Sequence, residues 1–195
     1  ICTAQALLAN MAGMYAVYHG PEGLKEIAHR IHGLASLLNK GLKDIYMEQE
    51  NENFFDTLRV KLVCTNANNL IALGHDEEFN FRYIDEKTIG ISVDETTTVE
   101  DINKIIRIIA RSCGKKPVQF KEYDEQISFE ESFLRNSPIL EERIFHLYRS
   151  ETEMMRYIKK LERKDISLTQ SMISLGSCTM KLNPATSMLP LSWSE

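Results

Sequence analysis

The period of the hydrophobic residues changes along the chain, and that change restricts the fold more than any other feature. Leu7, Leu8, Met11, Met14, Tyr15 and Tyr18 recur at spacings of three and four, which is one face of a helix. His19-Gly20-Pro21 breaks that helix, because glycine permits turn geometry while proline fixes φ and removes a donor. Pro21 is well placed to open a second helix, whose stripe is Leu24, Ile27, Ile31, Leu34, Leu38, Leu42 and Ile45. Residues 3–46 therefore read as a helix, a sharp turn and a longer helix.

The period then falls to two. Leu58, Val60 and Leu62 alternate with Arg59 and Lys61, the mark of a strand with one wet face. Residues 67–73 fit a short helix, with Gly74 read as its stop. Phe79, Phe81 and Tyr83 predict a second strand, and Ile89, Ile91 and Val93 a third. The polar turn Asp85-Glu86-Lys87 closes them into a hairpin. Thr98 with Asp101 reads as a near capping box for a helix carrying Ile102, Ile105, Ile106 and Ile109. The order α-α-β-α-β-β-α predicts a small two-layer α/β domain with a largely antiparallel sheet.

Beyond residue 113 the pattern thins. Gly114-Lys115-Lys116-Pro117 ends the helix, and Glu122, Asp124, Glu125, Glu130 and Glu131 mark a solvated connector. Phe120, Phe129, Phe133 and Phe145 predict that this connector lies pinned on a surface. Ser150-x-x-Glu153 predicts a capping box for a helix over 151–163. From Asp165 onward the helical period is lost, and 173–184 shows none.

Composition excludes several classes. The 195 residues carry 23 Lys plus Arg against 28 Asp plus Glu, a net charge of −5 without the basic clusters that neutralise phosphates. Nucleic-acid binding is not expected. The apolar stretch 6–18 is too short for a membrane span. Cys2, Cys64, Cys113 and Cys178 are scattered, with no C-x-x-C pair, and read as reduced intracellular thiols. The chain starts at Ile1 and stops at Glu195 with no visible targeting segment, so a piece of a longer polypeptide is expected.

Few clusters suggest chemistry. His29 and His32 have the i, i+3 spacing of metal ligands, but no third His or Cys lies within reach. Two histidines on the polar face of a helix explain them, and no metal site is expected. Asp94 followed by Thr96, Thr97 and Thr98 reads as a strand-end acid and helix-cap hydroxyls. Cys178 lies beside Ser177 and Lys181, but no His follows His146 to activate it. The loop is small and polar, with Gly176, Ser177, Thr179 and Asn183, and its donors suit an anionic ligand.

That loop is also the most specific signal. MISLGSCTMKLNP, ending at Pro184, resembles MIPLGSCTMKLN of the glycine decarboxylases, the P-protein family of the glycine cleavage system. The runs SETEMMRY from Ser150 and LERKD from Leu161 resemble the same family, as does the opening ICTAQALLANMAGMYAVYHGPEGLK. Three separated blocks therefore match in order, over essentially the whole chain. One departure is Ser174 in place of proline.

The resemblance implies a fold-type I pyridoxal-phosphate enzyme made of two homologous halves. Residues 1–113 would be the small α/β domain of the first half with its leading helices, 114–149 a connector, and 150–195 the start of the second, catalytic half. Carrying both on one chain implies the fused form of the enzyme. The implied activity is glycine dehydrogenase (aminomethyl-transferring), an oxidoreductase of glycine catabolism. It decarboxylates glycine and passes the aminomethyl group to the lipoyl group of H-protein. A homodimer is implied, in the cytoplasm of a bacterium or the mitochondrial matrix of a eukaryote. The family's Schiff-base lysine follows a His and precedes a glycine-rich run, and neither occurs here. No catalytic residue is therefore assigned, no bound cofactor is expected in this stretch alone, and it is expected to be inactive by itself. Ser177, Thr179, Lys181 and Asn183 are expected to line the substrate or cofactor pocket of the intact enzyme. The competing reading is a regulatory amino-acid-binding module of the ACT kind, which the β-α-β-β-α core resembles. The leading helix pair and the SCTMKLNP loop do not fit it.

Overall fold

The computed structural model describes residues 3–123, 131–167, 170, 172 and 185–193. Helix α1 spans Thr3–Asp44, β1 Glu48–Gln49, β2 Thr57–Lys61, α2 Ala67–Asp76, β3 Arg82–Tyr83, β4 Thr88–Ser92, α3 Val99–Ser112 and α4 Glu151–Glu162. Short 3-10 turns cover Glu131–Phe133, Arg143–His146 and Ala185–Ser192. The chain divides into two compact units, one of Ile1–Gly20 with Glu142–Glu195 and one of Pro21–Glu141.

In the Pro21–Glu141 unit the sheet runs β1-β2-β4-β3, all antiparallel. The register pairs Leu58 with Ile91 and Val60 with Ile89. Along β2, Thr57, Arg59 and Lys61 are exposed while Leu58 and Val60 are buried, so one sheet face is wet. The other face meets Leu34, Leu38 and Leu42 of α1, Leu70 of α2, and Ile102, Ile106 and Ile109 of α3, all fully buried. Each such side chain contributes about 1.5–3 kcal/mol of transfer free energy relative to exposure.

The ends of these helices follow from named residues. Thr98 accepts from the Asp101 amide at 3.2 Å, and the Asp101 carboxylate accepts from the Thr98 amide at 2.9 Å. The near box read from sequence is thus a complete reciprocal cap. At the end of α1 the Met47 amide reaches back to the Leu42 carbonyl, with Tyr46 in the left-handed region at φ 62°. Lys115 steadies this turn. Its ammonium donates to the Ile45 carbonyl at 2.8 Å and lies 4.1 Å from the centre of the Tyr46 ring.

Several expectations change. Gly74 lies inside α2, which continues to Asp76 and is capped at Glu77. A Cβ at Gly74 would come within 2.6 Å of the Phe79 carbonyl oxygen, so close approach, not helix termination, requires glycine there. The strand expected over 79–83 pairs only at Arg82 and Tyr83. Phe81 is buried as core rather than ladder. Strand β1 has no sequence signal, because two residues cannot show a period. Cys64 and Cys113 form a disulfide with Cα atoms 5.4 Å apart, against the expectation of four reduced thiols. Their separation of 49 residues hid the pairing, since α2, β3, β4 and α3 all intervene.

In the other unit Gly20 has φ 62° and ψ −175°, and it interrupts α1 where the sequence predicts the sharp turn. A Cβ there would collide with the Arg149 guanidinium and approach the Phe145 carbonyl oxygen to 2.6 Å. Ser150 caps α4 by accepting from the Glu153 amide at 3.3 Å. Its hydroxyl donates to the Glu153 carboxylate at 3.0 Å. The reciprocal bond of a full capping box is not part of this cap, which corrects the box expected from the motif.

Candidate functional site

The expected pocket residues Ser177, Thr179, Lys181 and Asn183, with Cys178 beside them, lie outside the described residues. What is described is the element that leads toward them. Arg149 donates through Nε and Nη2 to the Phe145 carbonyl at 3.3 and 3.0 Å, and through Nη2 to His146 Nδ1 at 3.2 Å. The next residue, Ser150, starts α4. Tyr148 stacks on Tyr157 of that helix with ring centres 4.2 Å apart. One guanidinium thus ties the turn Arg143–His146 to the N-terminus of α4 and packs against Gly20. Gly20 and Ser150 stand out in the sequence, whereas Arg149 has no signal there beyond its place beside the capping motif.

The histidines are separated by burial. His29 is exposed, while His32 is 2% exposed, which corrects its placing on the polar face. His32 Nδ1 lies 3.0 Å from the Phe55 carbonyl oxygen, and Nε2 lies 3.4 Å from Ser36 Oγ. The ring fastens the 50–56 loop to α1. No group of three or more His, Cys, Asp or Glu able to hold a metal occurs among the described residues.

Asp94 is structural. Its carboxylate accepts from the Thr96 hydroxyl at 2.7 Å and the Thr96 amide at 2.9 Å, and Thr97 adds an amide and a hydroxyl at 3.1 Å each. These bonds, the Thr96 hydroxyl foremost, hold the carboxyl below its ordinary value. A groove of 390 Å³ runs beside it, between 79–82 and 90–94, where β3 parts from β4. Arg82 lies along this edge, its side chain 3.5 Å from where a Gly90 Cβ would sit. Another groove of 480 Å³ is flanked by Lys40, Lys43 and Asp44.

A pyridoxal-phosphate site needs an enclosed lysine and a cluster of donors for the phosphate. The described lysines with defined partners do other work. Lys87 donates to the Thr65 carbonyl at 2.8 Å, Lys115 to that of Ile45, and Lys61 pairs with Glu48 at 3.1 Å. Lys40 and Lys43 border an open surface groove. The described residues do not fit the cofactor, and no chemical step is derived through it from them.

The described geometry defines a small sheet-and-helix unit without a catalytic cluster among the described residues, joined in sequence to a capped helix. A family model described as "Glycine cleavage system P-protein" matches residues 1–109, and the chain belongs to that family. Over 192 residues it is 52% identical to "Glycine dehydrogenase (decarboxylating)" of Christiangramia forsetii, covering 98% of this chain and 20% of that protein. It is 50% identical to the protein of the same name from Bacteroides thetaiotaomicron, covering 100% of this chain and 21% of that one. A mitochondrial relative of that name from Pisum sativum is 49% identical, with 99% and 18% covered. The chain thus spans about one fifth of the length of these curated relatives.

Proposed function

We propose that this chain acts as a segment of a pyridoxal-phosphate-dependent glycine decarboxylase of fold type I. The intact enzyme decarboxylates glycine and delivers the aminomethyl group to lipoylated H-protein. The observation that carries the reading is identity near 50% along the whole chain to relatives named for glycine decarboxylation. In this reading residues 1–113 close the first half of the enzyme, 114–149 connect, and 150–195 begin the catalytic half. The ACT-like alternative loses ground because the similarity extends through α4 and residues 173–184, which such a module does not need.

The segment's own task is positional. The sheet and three helices form a stable platform, and the Ser150 cap fixes where α4 starts. Ser177, Thr179, Lys181 and Asn183 then line the glycine side of the pocket, offering hydroxyl, ammonium and amide donors to a carboxylate. The cofactor, when bound elsewhere in the enzyme, supplies the electron sink for decarboxylation. The enzyme is a homodimer in a bacterial cytoplasm or a mitochondrial matrix. Among the described residues no helix is long and apolar enough to cross a membrane.

The test replaces Thr179 or Lys181 by alanine in the polypeptide carrying the complete enzyme. Glycine decarboxylation and glycine–bicarbonate exchange are then measured. Losing one such donor is expected to cost about 10-fold or more in kcat/KM. Wild-type rates in both assays would remove these residues from the pocket.

A further inference from the structure

Cys64 is exposed, and Cys113 is half-buried against the edge of the core. Cys64 precedes Asn66, the residue that caps α2 by accepting from the Asn69 amide at 3.0 Å. Cys113 is the terminal cap of α3, its amide bonded to the Ala110 carbonyl at 3.1 Å. The disulfide therefore joins the start of one helix to the end of another. Other ties between these helices survive without it. Glu77 at the end of α2 pairs with Arg107 at 3.1 Å and Arg111 at 2.7 Å, and Leu70, Ile106 and Ile109 meet in the core. Immediately after Cys113 come Gly114 at φ 64° and Lys115, whose ammonium holds the turn after α1. Opening the bond would free the exit of α3 without removing any apolar side chain from the core.

We propose that Cys64–Cys113 is a reversible redox site, opened by thiol–disulfide exchange with a dithiol and re-formed by exchange with a small disulfide. A thiolate of the dithiol attacks Sγ of the exposed Cys64. The S–S bond breaks, and Cys113 leaves as a thiolate that takes a proton. The second thiol of the dithiol then resolves the mixed disulfide, closing to a cyclic disulfide and releasing Cys64 as a thiol. Two electrons and two protons pass from the dithiol to the protein. Exposure is what makes such a bond labile, because the attacking thiolate must reach a sulfur in line with the bond. The consequence is a change in local stability, since the bond closes a loop 49 residues long.

The test uses the whole chain with Cys2→Ser and Cys178→Ser, which leaves this pair alone. After oxidised glutathione, neither thiol should react with iodoacetamide, and digestion should yield a peptide linking Cys64 to Cys113. Dithiothreitol without denaturant should expose both thiols and lower Tm by about 5–15 °C. Adding Cys64→Ser should give the lower Tm and abolish its response to dithiothreitol. If that variant fails to fold, the reduced parent supplies the same comparison. Thiols that remain reactive after oxidant, a bond that dithiothreitol reaches only in urea, or a Tm unchanged by reduction would each overturn the proposal.

Discussion

At the scale of single residues, burial separates side chains whose spacing makes them look alike. His29 and His32 share one helix, yet only His32 is enclosed and bonded to the Phe55 carbonyl. Replacing His32 by alanine should destabilise the chain by about 1–3 kcal/mol, because the buried bond that fastens the 50–56 loop to α1 is lost; urea unfolding measures it. His29→Ala should be close to neutral in the same experiment. Asp94 carries a pH signature. Its folded pKa is depressed, so its contribution is complete above about pH 4 and is lost as pH falls through the lower folded value. Asp94→Asn should flatten that part of the acid limb of stability against pH. An unchanged slope would place the acid sensitivity in other carboxylates, such as Asp85, also held low by the Lys87 amide. The structural role of Asp94 was legible because a strand-end acid followed by threonines has few other uses. The burial of His32 was not, because it depends on a loop 23 residues away.

At the scale of elements, the sequence showed most where a period ran long. The two arms of α1, strands β2 and β4, and α3 all fall where alternation or three-four spacing predicts them. Elements too short to carry a period escaped, as β1 did, or were overdrawn, as β3 was. The connector shows the same limit. Of the phenylalanines expected to pin it, Phe120 packs against the core, Phe133 is exposed and Phe129 lies outside the described residues, and Asn103 adds a tie that the pattern did not show. That amide donates to the Phe120 carbonyl at 2.8 Å and accepts from its N–H at 2.9 Å, pairing with backbone as a strand would. Lys40 lies 5.8 Å from the centre of the Phe120 ring. Asn103→Ala should cost about 1–3 kcal/mol, since two backbone groups lose their partner. It should also speed tryptic cleavage at Lys116 and Lys121. Cleavage at the parent rate would show that the aromatic contact alone suffices. The candidate residues Ser177, Thr179, Lys181 and Asn183 were readable only as a motif, since aperiodic polar residues carry no geometric information of their own.

At the scale of the whole molecule, the two units differ in how much they bury. The Pro21–Glu141 unit holds nearly all the buried apolar side chains among the described residues. In the other unit Leu7, Leu8, Met11, Met155 and Trp193 are more than half exposed. An apolar surface of that kind promotes association, so the chain should self-associate as its concentration rises, and Leu8→Glu with Met11→Glu should weaken this. Sedimentation velocity over a range of concentrations measures it. A parent chain that stays monomeric would contradict the expectation. The same exposure accords with a segment that packs inside a larger enzyme, as does its match to one fifth of each relative. The most direct test of that account is glycine–bicarbonate exchange by the polypeptide that carries this segment at full length, loaded with pyridoxal phosphate and supplied with lipoylated H-protein. Glycine-dependent exchange is expected, and it should fall sharply when Thr179 or Lys181 is replaced. Absence of exchange in the folded, cofactor-loaded protein would contradict it.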